Sequence, residues 1–212
     1  MSSAVLHLPR KYTAVLFDMD GTLLDSRVVV ERVWRGWAAS HGRDSAPILA
    51  VSHGRRSIDT IREFALPDLD VEAEDKKLEA LEVADVEGII AIAGAAELLA
   101  RLPPDRWAVV TSASRALATA RLTAAGLPIP AIMVTAEQVT HGKPDPEGYN
   151  KAAALLGTTA DQCLVFEDAP AGIEAGRRAG SDVIAITAAR PHPFEPACPD
   201  VRDYTQVRFG LA

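Results

Sequence analysis

A chain of 212 residues with 48% hydrophobic and 24% charged residues has an ordinary globular composition, and its length fits one domain or one domain carrying a modest insert. The formal net charge of -7 argues against nucleic acid or an anionic membrane as partner, and an anionic substrate would need a local cation or a metal. Two cysteines, Cys163 and Cys198, make no disulfide framework, so a reducing cytoplasm is the expected compartment. No apolar run reaches the ~18 residues of a membrane span, and residues 1–10 do not read as a signal peptide.

In chain order, the first short apolar run is Ala14-Val15-Leu16-Phe17. Residues 26–90 then show helical patterns and no convincing strand: Trp34 and Trp37 share a face at i,i+3, and residues 75–83 form a charged amphipathic segment. Four more apolar runs follow, at Trp107-Ala108-Val109-Val110, Ile132-Met133-Val134, Leu164-Val165-Phe166 and Val183-Ile184-Ala185-Ile186. All are continuous, not alternating, as expected of strands covered on both faces. The helices between them have readable ends. Residues 115–125 are Ala-rich and stop at Gly126, Pro146 and Gly157 bracket a second helix, and Pro170 and Gly180 a third. Alternation of strand and helix predicts an α/β fold with a doubly wound parallel sheet, and residues 26–90 a small helical domain inserted after the first strand. The expected division is 1–25 with 91–212 as the core and 26–90 as the insert. The proline-rich tail after Arg190 reads as loop with a short last strand near residues 201–204.

The chemistry-bearing residues sit at the carboxyl ends of these runs, where ligands bind in such sheets. Phe17-Asp18-Met19-Asp20-Gly21-Thr22-Leu23 places two carboxylates one residue apart. One can attack phosphorus to form an acyl phosphate, and the other can serve as acid and then base. Alone, Asp-x-Asp-Gly describes a solvated turn equally well. Thr111-Ser112, after the second run, offers hydroxyls and backbone N–H groups to a phosphate. Lys143, between Gly142 and Pro144, offers a point charge. Glu167-Asp168 puts adjacent acids at a strand end, where they repel unless a cation is present. Magnesium, with its preference for a few carboxylates and a phosphate oxygen, suits them. Four segments in this order converge on one crevice, which no single motif would establish.

With these motifs the chain resembles the haloacid dehalogenase-like hydrolase superfamily over residues 13 to about 187, in its phosphoglucomutase-like subfamily with a helical cap. The resemblance implies Asp18 as nucleophile, Asp20 as acid and base, Thr111 and Ser112 as phosphoryl ligands, and Lys143 as neutralising charge. It implies magnesium held by the Asp18 side chain, the Asp20 carbonyl and Asp168, with Glu167 assisting. The stretches Ser52-His53-Gly54-Arg55-Arg56-Ser57 and Phe166-Glu167-Asp168-Ala169-Pro170 look like those of bacterial sugar-phosphate phosphatases and yeast glycerol-phosphate and 2-deoxyglucose-6-phosphate phosphatases. By that likeness Gly54 and Arg55 bind the substrate, and His53, Arg55 and Arg56 read its leaving group. The expected substrate is a small phosphorylated metabolite, a sugar or polyol phosphate, and no protein partner is implied. Ala113 departs from the Thr-Ser-Gly turn of many relatives but removes no donor.

Other chemistries share these motifs. Asp20 argues against a dehalogenase. Lys76 and Lys77 sit in a charged segment and read as a solvated face, not as Schiff-base lysines of a phosphonatase. A sugar-phosphate mutase would have a cap histidine where Val30 stands, and a non-catalytic binding module need not keep Asp18, Asp20, Lys143 and Asp168 together. Trp34, Trp37 and Cys163 read as packing residues, and His141 as a turn residue.

Overall fold

A computed structural model of the chain describes residues 5–52, 54–190 and 198–212. The chain opens with β1 (Leu6–Tyr12), β2 (Ala14–Phe17) and β3 (Leu24–Asp25). Four helices follow, α1 (Arg27–Ser40), α2 (Ser45–Ser52), α3 (Ser57–Phe64) and α4 (Val71–Ala84). Then come β4 (Ile90–Ala91), α5 (Ala95–Leu99), β5 (Trp107–Val110), α6 (Arg115–Ala124), β6 (Met133–Val134) and α7 (Glu147–Leu155). β7 (Cys163–Glu167), α8 (Pro170–Arg178), β8 (Asp182–Ile186), β9 (Asp200–Val201) and β10 (Val207–Leu211) complete it.

Six strands form a parallel sheet in the order β6-β5-β2-β7-β8-β9. Every residue of β2, β5 and β7 is buried. That explains the continuous apolar runs: helices cover both faces, so no position along these strands meets water. On one face Phe17 stacks on Phe166 at 5.4 Å and Tyr204 closes over both. On the other, Leu16 and Val165 pack beneath Tyr149 and Ala153 of α7. β2 lies between β5 and β7, where the chain's progress along the sheet reverses, and the crevice above such a point is where ligands sit.

The helices α1 to α4 leave and rejoin the sheet through one antiparallel pair, with Leu24 opposite Ala91 and Asp25 opposite Ile90. Their own interior is built around Trp34 and Trp37, edge to face at 5.7 Å, and Trp37 donates its indole N–H to Glu74 of α4 at 3.2 Å. Both tryptophans are buried, as the i,i+3 spacing implies.

Four strands lie outside the sequence expectation: the short pair β3 and β4, and the outlying pair β1 and β10. β1 precedes the run at Ala14, and β10 ends the chain; they pair with each other in parallel, with a register break between His7 and Lys11 that brackets Pro9. The proline removes a ladder donor, and the partner is at the other end of the chain, so neither strand carries a local signal. The expected strand near 201–204 is Asp200–Val201, while Tyr204 belongs to a short 3-10 turn. Pro191, Pro193 and Pro196 of the tail lie outside the described residues.

Candidate active site

Asp18 is the first residue beyond β2, and its backbone N–H still bonds to the Phe166 carbonyl of β7 at 3.0 Å. Its carboxylate is therefore held by the sheet itself. Lys143 arrives from the loop between β6 and α7, with a side chain only 7% exposed. Its ammonium donates to Asp18 Oδ1 at 2.5 Å, Glu167 Oε1 at 2.7 Å and the Val110 carbonyl at 3.1 Å. All three ammonium protons are thus directed, which is a far more constrained state than a surface lysine in a turn. Burial would lower the Lys143 pKa, but the facing carboxylates of Asp18 and Glu167 raise it well above the ordinary value, so it stays charged.

Glu167 and Asp168, adjacent in sequence, have different surroundings. Glu167 Oε1 also accepts from the Tyr149 hydroxyl at 3.0 Å, and Oε2 accepts the backbone N–H groups of Asp168 and Ala169 at 2.8 and 2.9 Å. Its lone pairs are largely taken, and in this geometry it holds Lys143. Among the described residues, the Asp168 side chain accepts a hydrogen bond from the Thr22 hydroxyl alone, at 3.5 Å. Burial, with Glu167 and Asp18 beside it, holds the Asp168 carboxyl well above the usual carboxylate range. Burial and Glu167 likewise push Asp18 up to about 7, in spite of Lys143. Oxygens of Asp18, Glu167 and Asp168 lie within 4.8 Å of one another. Three buried carboxylates face the one ammonium of Lys143, with the Arg190 guanidinium also acting on Asp168, and the negative charge left over is of the kind a divalent cation would match. Gly21, at φ 85°, permits this approach: a β-carbon there would stand 2.3 Å from Asp168 Oδ2. The donor set, all oxygen and under-neutralised, fits a hard cation.

Asp20 sits at the rim of the same crevice. Ser26 donates to its Oδ1 at 2.5 Å, and the guanidinium of Arg121, from α6, meets its Oδ2 at 2.9 Å. Thr111 is buried at the end of β5, its hydroxyl accepting from the Ala113 N–H at 3.1 Å. Ser112 instead donates across the crevice to the Gly54 carbonyl at 3.0 Å.

Gly54 therefore touches the sheet side of the site through its backbone. Its φ is 75°, and a β-carbon would lie 2.8 Å from the Ala169 β-carbon, so the close approach itself requires glycine. Arg55 and Arg56 border the cavity, but their forks are engaged within the helical segment: Arg55 with Glu63 at 2.8 Å and Arg56 with Asp59 at 2.8 Å. His53 lies outside the described residues. The cavity between sheet and helices has a volume of about 910 Å³. Asp18, Asp20 and Asp168 form its floor, and Val30, Trp34 and Leu49 its apolar wall. That is ample for a small phosphorylated metabolite.

Comparison with known proteins decides the family. The profile of the haloacid dehalogenase-like hydrolases matches residues 12–180. The chain belongs to the haloacid dehalogenase-like hydrolases. It is 46% identical over 182 residues to hexitol phosphatase A of Escherichia coli, covering 84% of each chain. It is 37% identical over 218 residues to glycerol-1-phosphate phosphohydrolase 2 of Saccharomyces cerevisiae, covering 96% of this chain and 87% of the yeast protein. Among solved structures, a hydrolase from Pseudomonas syringae superposes with a TM-score of 0.80 at 26% identity, covering 92% of this chain and 95% of that one. With relatives of this kind over most of its length, the haloacid dehalogenase-like chain is an enzyme that hydrolyses phosphate esters of small metabolites. No helix among the described residues is long and apolar enough to cross a membrane.

Two site residues escaped the motif reading. Tyr149 supports the Lys143 and Glu167 pair from below, with the ammonium 5.3 Å from its ring centroid. Arg121 is buried between Asp20 and Glu82. Each carries a signal in the helix pattern. Leu117, Ala118, Arg121 and Leu122 form one buried stripe of α6, and Gly148, Tyr149, Ala152 and Ala153 one of α7. A charged residue at an apolar helix position is the warning.

Proposed function

We propose that the enzyme is a magnesium-dependent phosphatase of neutral sugar or polyol phosphates that works through a phosphoaspartate on Asp18. The observation that carries this reading is the constellation around Asp18: a buried carboxylate at a strand end, fixed by Lys143, beside an under-neutralised Asp168. The likeness to a hexitol phosphatase and a glycerol-1-phosphate phosphohydrolase supports the choice of leaving group.

In this reading Asp18 attacks phosphorus in line while Asp20 protonates the departing alcohol. Water, deprotonated by Asp20, then cleaves the acyl phosphate. Lys143 and the donors at Thr111 and Ser112 are preorganised for the charge on the phosphoryl oxygens. Magnesium, bound by the Asp18 side chain, the Asp20 carbonyl and Asp168, would supply further neutralisation of those oxygens. Glu167 contributes by holding Lys143. The helices α1 to α4 act as a cap that excludes water and contacts the leaving group. Val30, buried and apolar on the cavity wall, offers no group to reorient a bound sugar phosphate, so hydrolysis and not phosphoryl return is the outcome.

The test is phosphate release from a panel of hexitol, glycerol, aldose and ketose phosphates, phosphoglycolate and a bisphosphate, with and without magnesium. The reading requires turnover of neutral polyol or sugar esters that depends on the metal. Preference for a second anionic group, or full turnover in excess chelator, would overturn it.

A further inference from the structure

Arg121 is the least expected charge in the molecule. It lies in the middle of the apolar face of α6, its side chain 5% exposed, and its Nε has no hydrogen-bond partner among the described residues. One end of its fork, Nη1, is 2.9 Å from Asp20 Oδ2. The other, Nη2, is 3.0 Å from Glu82 Oε1, and that glutamate is itself 8% exposed. Glu82 belongs to α4, the helix of the cap segment that packs on α6. Three positions earlier on the same face, Glu79 accepts from Ser114, the residue that caps α6 by accepting from the Leu117 N–H.

An apolar pair would join two helices at lower cost. Burying one cation with two carboxylates carries a desolvation penalty, and here one donor is left unpaired as well. The arrangement does something that leucine or methionine could not: it ties a cap side chain and the second aspartate to opposite ends of one rigid planar group. Ser26, at the start of α1, fixes the other oxygen of Asp20. Between them, the two contacts leave the carboxylate one orientation.

We propose that Arg121 is a positioning residue that couples docking of the cap helix α4 to the orientation of Asp20. With α4 docked, Glu82 holds the guanidinium in the plane that meets Asp20 Oδ2. With α4 withdrawn, the fork loses its second anchor and Asp20 its fixed rotamer. In this proposal Arg121, which also lines the cavity, acts through Asp20 and not on the substrate itself. The inference rests on the reading of Asp20 as acid and base given above.

The experiment is a pair of double-mutant cycles in kcat, each variant assayed on a hexitol phosphate, a poor leaving group, and on an aryl phosphate, a good one. Thermal melting is recorded throughout. Arg121→Met should lower kcat on the hexitol phosphate by roughly a hundredfold, the scale of a misplaced catalytic group, and much less on the aryl phosphate. In the Asp20→Asn background the same substitution should cost nothing further. Glu82→Gln should show a smaller loss of the same kind, absent once Arg121 is replaced. If Arg121→Met fails to fold, Arg121→Lys carries the cycle: it keeps one charge but cannot span both carboxylates, so it should give the same pattern. Losses of Arg121 and Asp20 that multiply, or losses equal on both substrates, would overturn the proposal. If Asp20→Asn itself fails to discriminate between the leaving groups, the acid role of Asp20 is at fault and the coupling falls with it.

Discussion

The floor and the roof of the cavity hold their charges in opposite ways. At the floor, Asp18, Lys143, Glu167 and Asp168 are buried and share partners, so each sets the state of the next. In the roof, the arginines near the cavity are held by pairs at or near the surface: Arg55 with Glu63, Arg56 with Asp59, and Arg35 with Glu31. Pairs of the second kind contribute little stability and exchange partners readily. A chemical step that is the same for every substrate needs the first arrangement; a surface that must accept different alcohols can use the second. Glu82 is the exception in the roof, buried like the floor and joined through Arg121 of α6 to Asp20.

The sharpest way to break this contrast is at the floor. Asp18→Asn should abolish turnover, because an amide cannot form the acyl phosphate. Activity above a few per cent of wild type, measured as phosphate release, would remove Asp18 from its role. Removal of magnesium by a chelator should act as completely, since the excess charge at Asp18 and Asp168 then repels a phosphate dianion. Turnover on readdition of the metal is the control.

Lys143→Ala should cost about 2–4 kcal/mol in transition-state stabilisation, the range for one preorganised electrostatic group. The variant also leaves three buried carboxylates without their ammonium. A near wild-type kcat/KM would show that the three bonds to Lys143 serve only the fold.

The same crowding predicts a pH linkage in the metal-free protein. Asp18 titrates at about 7 in the folded state, raised by burial and Glu167 from an ordinary value of 3.8. The folded state therefore binds the proton more tightly than the unfolded chain. Stability associated with this group is fully present below the ordinary value and is lost as pH rises through about 7. Asp168 shifts in the same direction. Chelated protein should melt at a lower temperature at pH about 8 than at pH about 6, magnesium should offset the loss, and its affinity should rise over this interval as protons leave the site. A melting temperature that rises with pH in chelator would contradict the assignment.

The smallest expected effect lies in the roof. Arg55→Ala should lower kcat/KM for a polyol phosphate by about tenfold or less, the cost of a hydrogen bond shared between Glu63 and the substrate, and leave an aryl phosphate unchanged. Glu63→Ala, which frees the fork, should move the polyol phosphate the other way or not at all. Equal losses on both substrates would make the loop a part of closure and not of recognition.

The difference between floor and roof also governs what could be read from the sequence. A strand covered on both faces must be a continuous apolar run, so Ala14-Val15-Leu16-Phe17 marks a strand and the next residue, Asp18, marks its end. The same holds for Thr111 after β5 and for Glu167 and Asp168 at the end of β7. Helix ends at Pro146, Gly157, Pro170 and Gly180 were legible because proline and glycine have local causes. β1 and β10 were not, because a strand broken at Pro9 and paired to the far end of the chain is specified by a contact that no window contains. Arg121 and Glu82 were hidden for a related reason. A charged residue in a helix reads as solvent-facing until the partner helix is known, although Glu74, Leu78 and Glu82 fall on one buried face of α4. The sequence reading gave Asp168 to the metal and Glu167 an assisting part; the bonds of Glu167 to Tyr149, Lys143 and two backbone N–H groups depend on contacts that the sequence pattern does not contain.

The central claim is a covalent phosphoryl enzyme on Asp18. It can be tested by quenching the turning-over, magnesium-loaded enzyme with borohydride, which reduces an acyl phosphate to the alcohol, and sequencing the modified peptide by mass spectrometry. The account predicts homoserine at position 18, dependent on both substrate and magnesium. Reduction at another carboxylate, or an unmodified residue 18 in enzyme shown to be turning over, would contradict it.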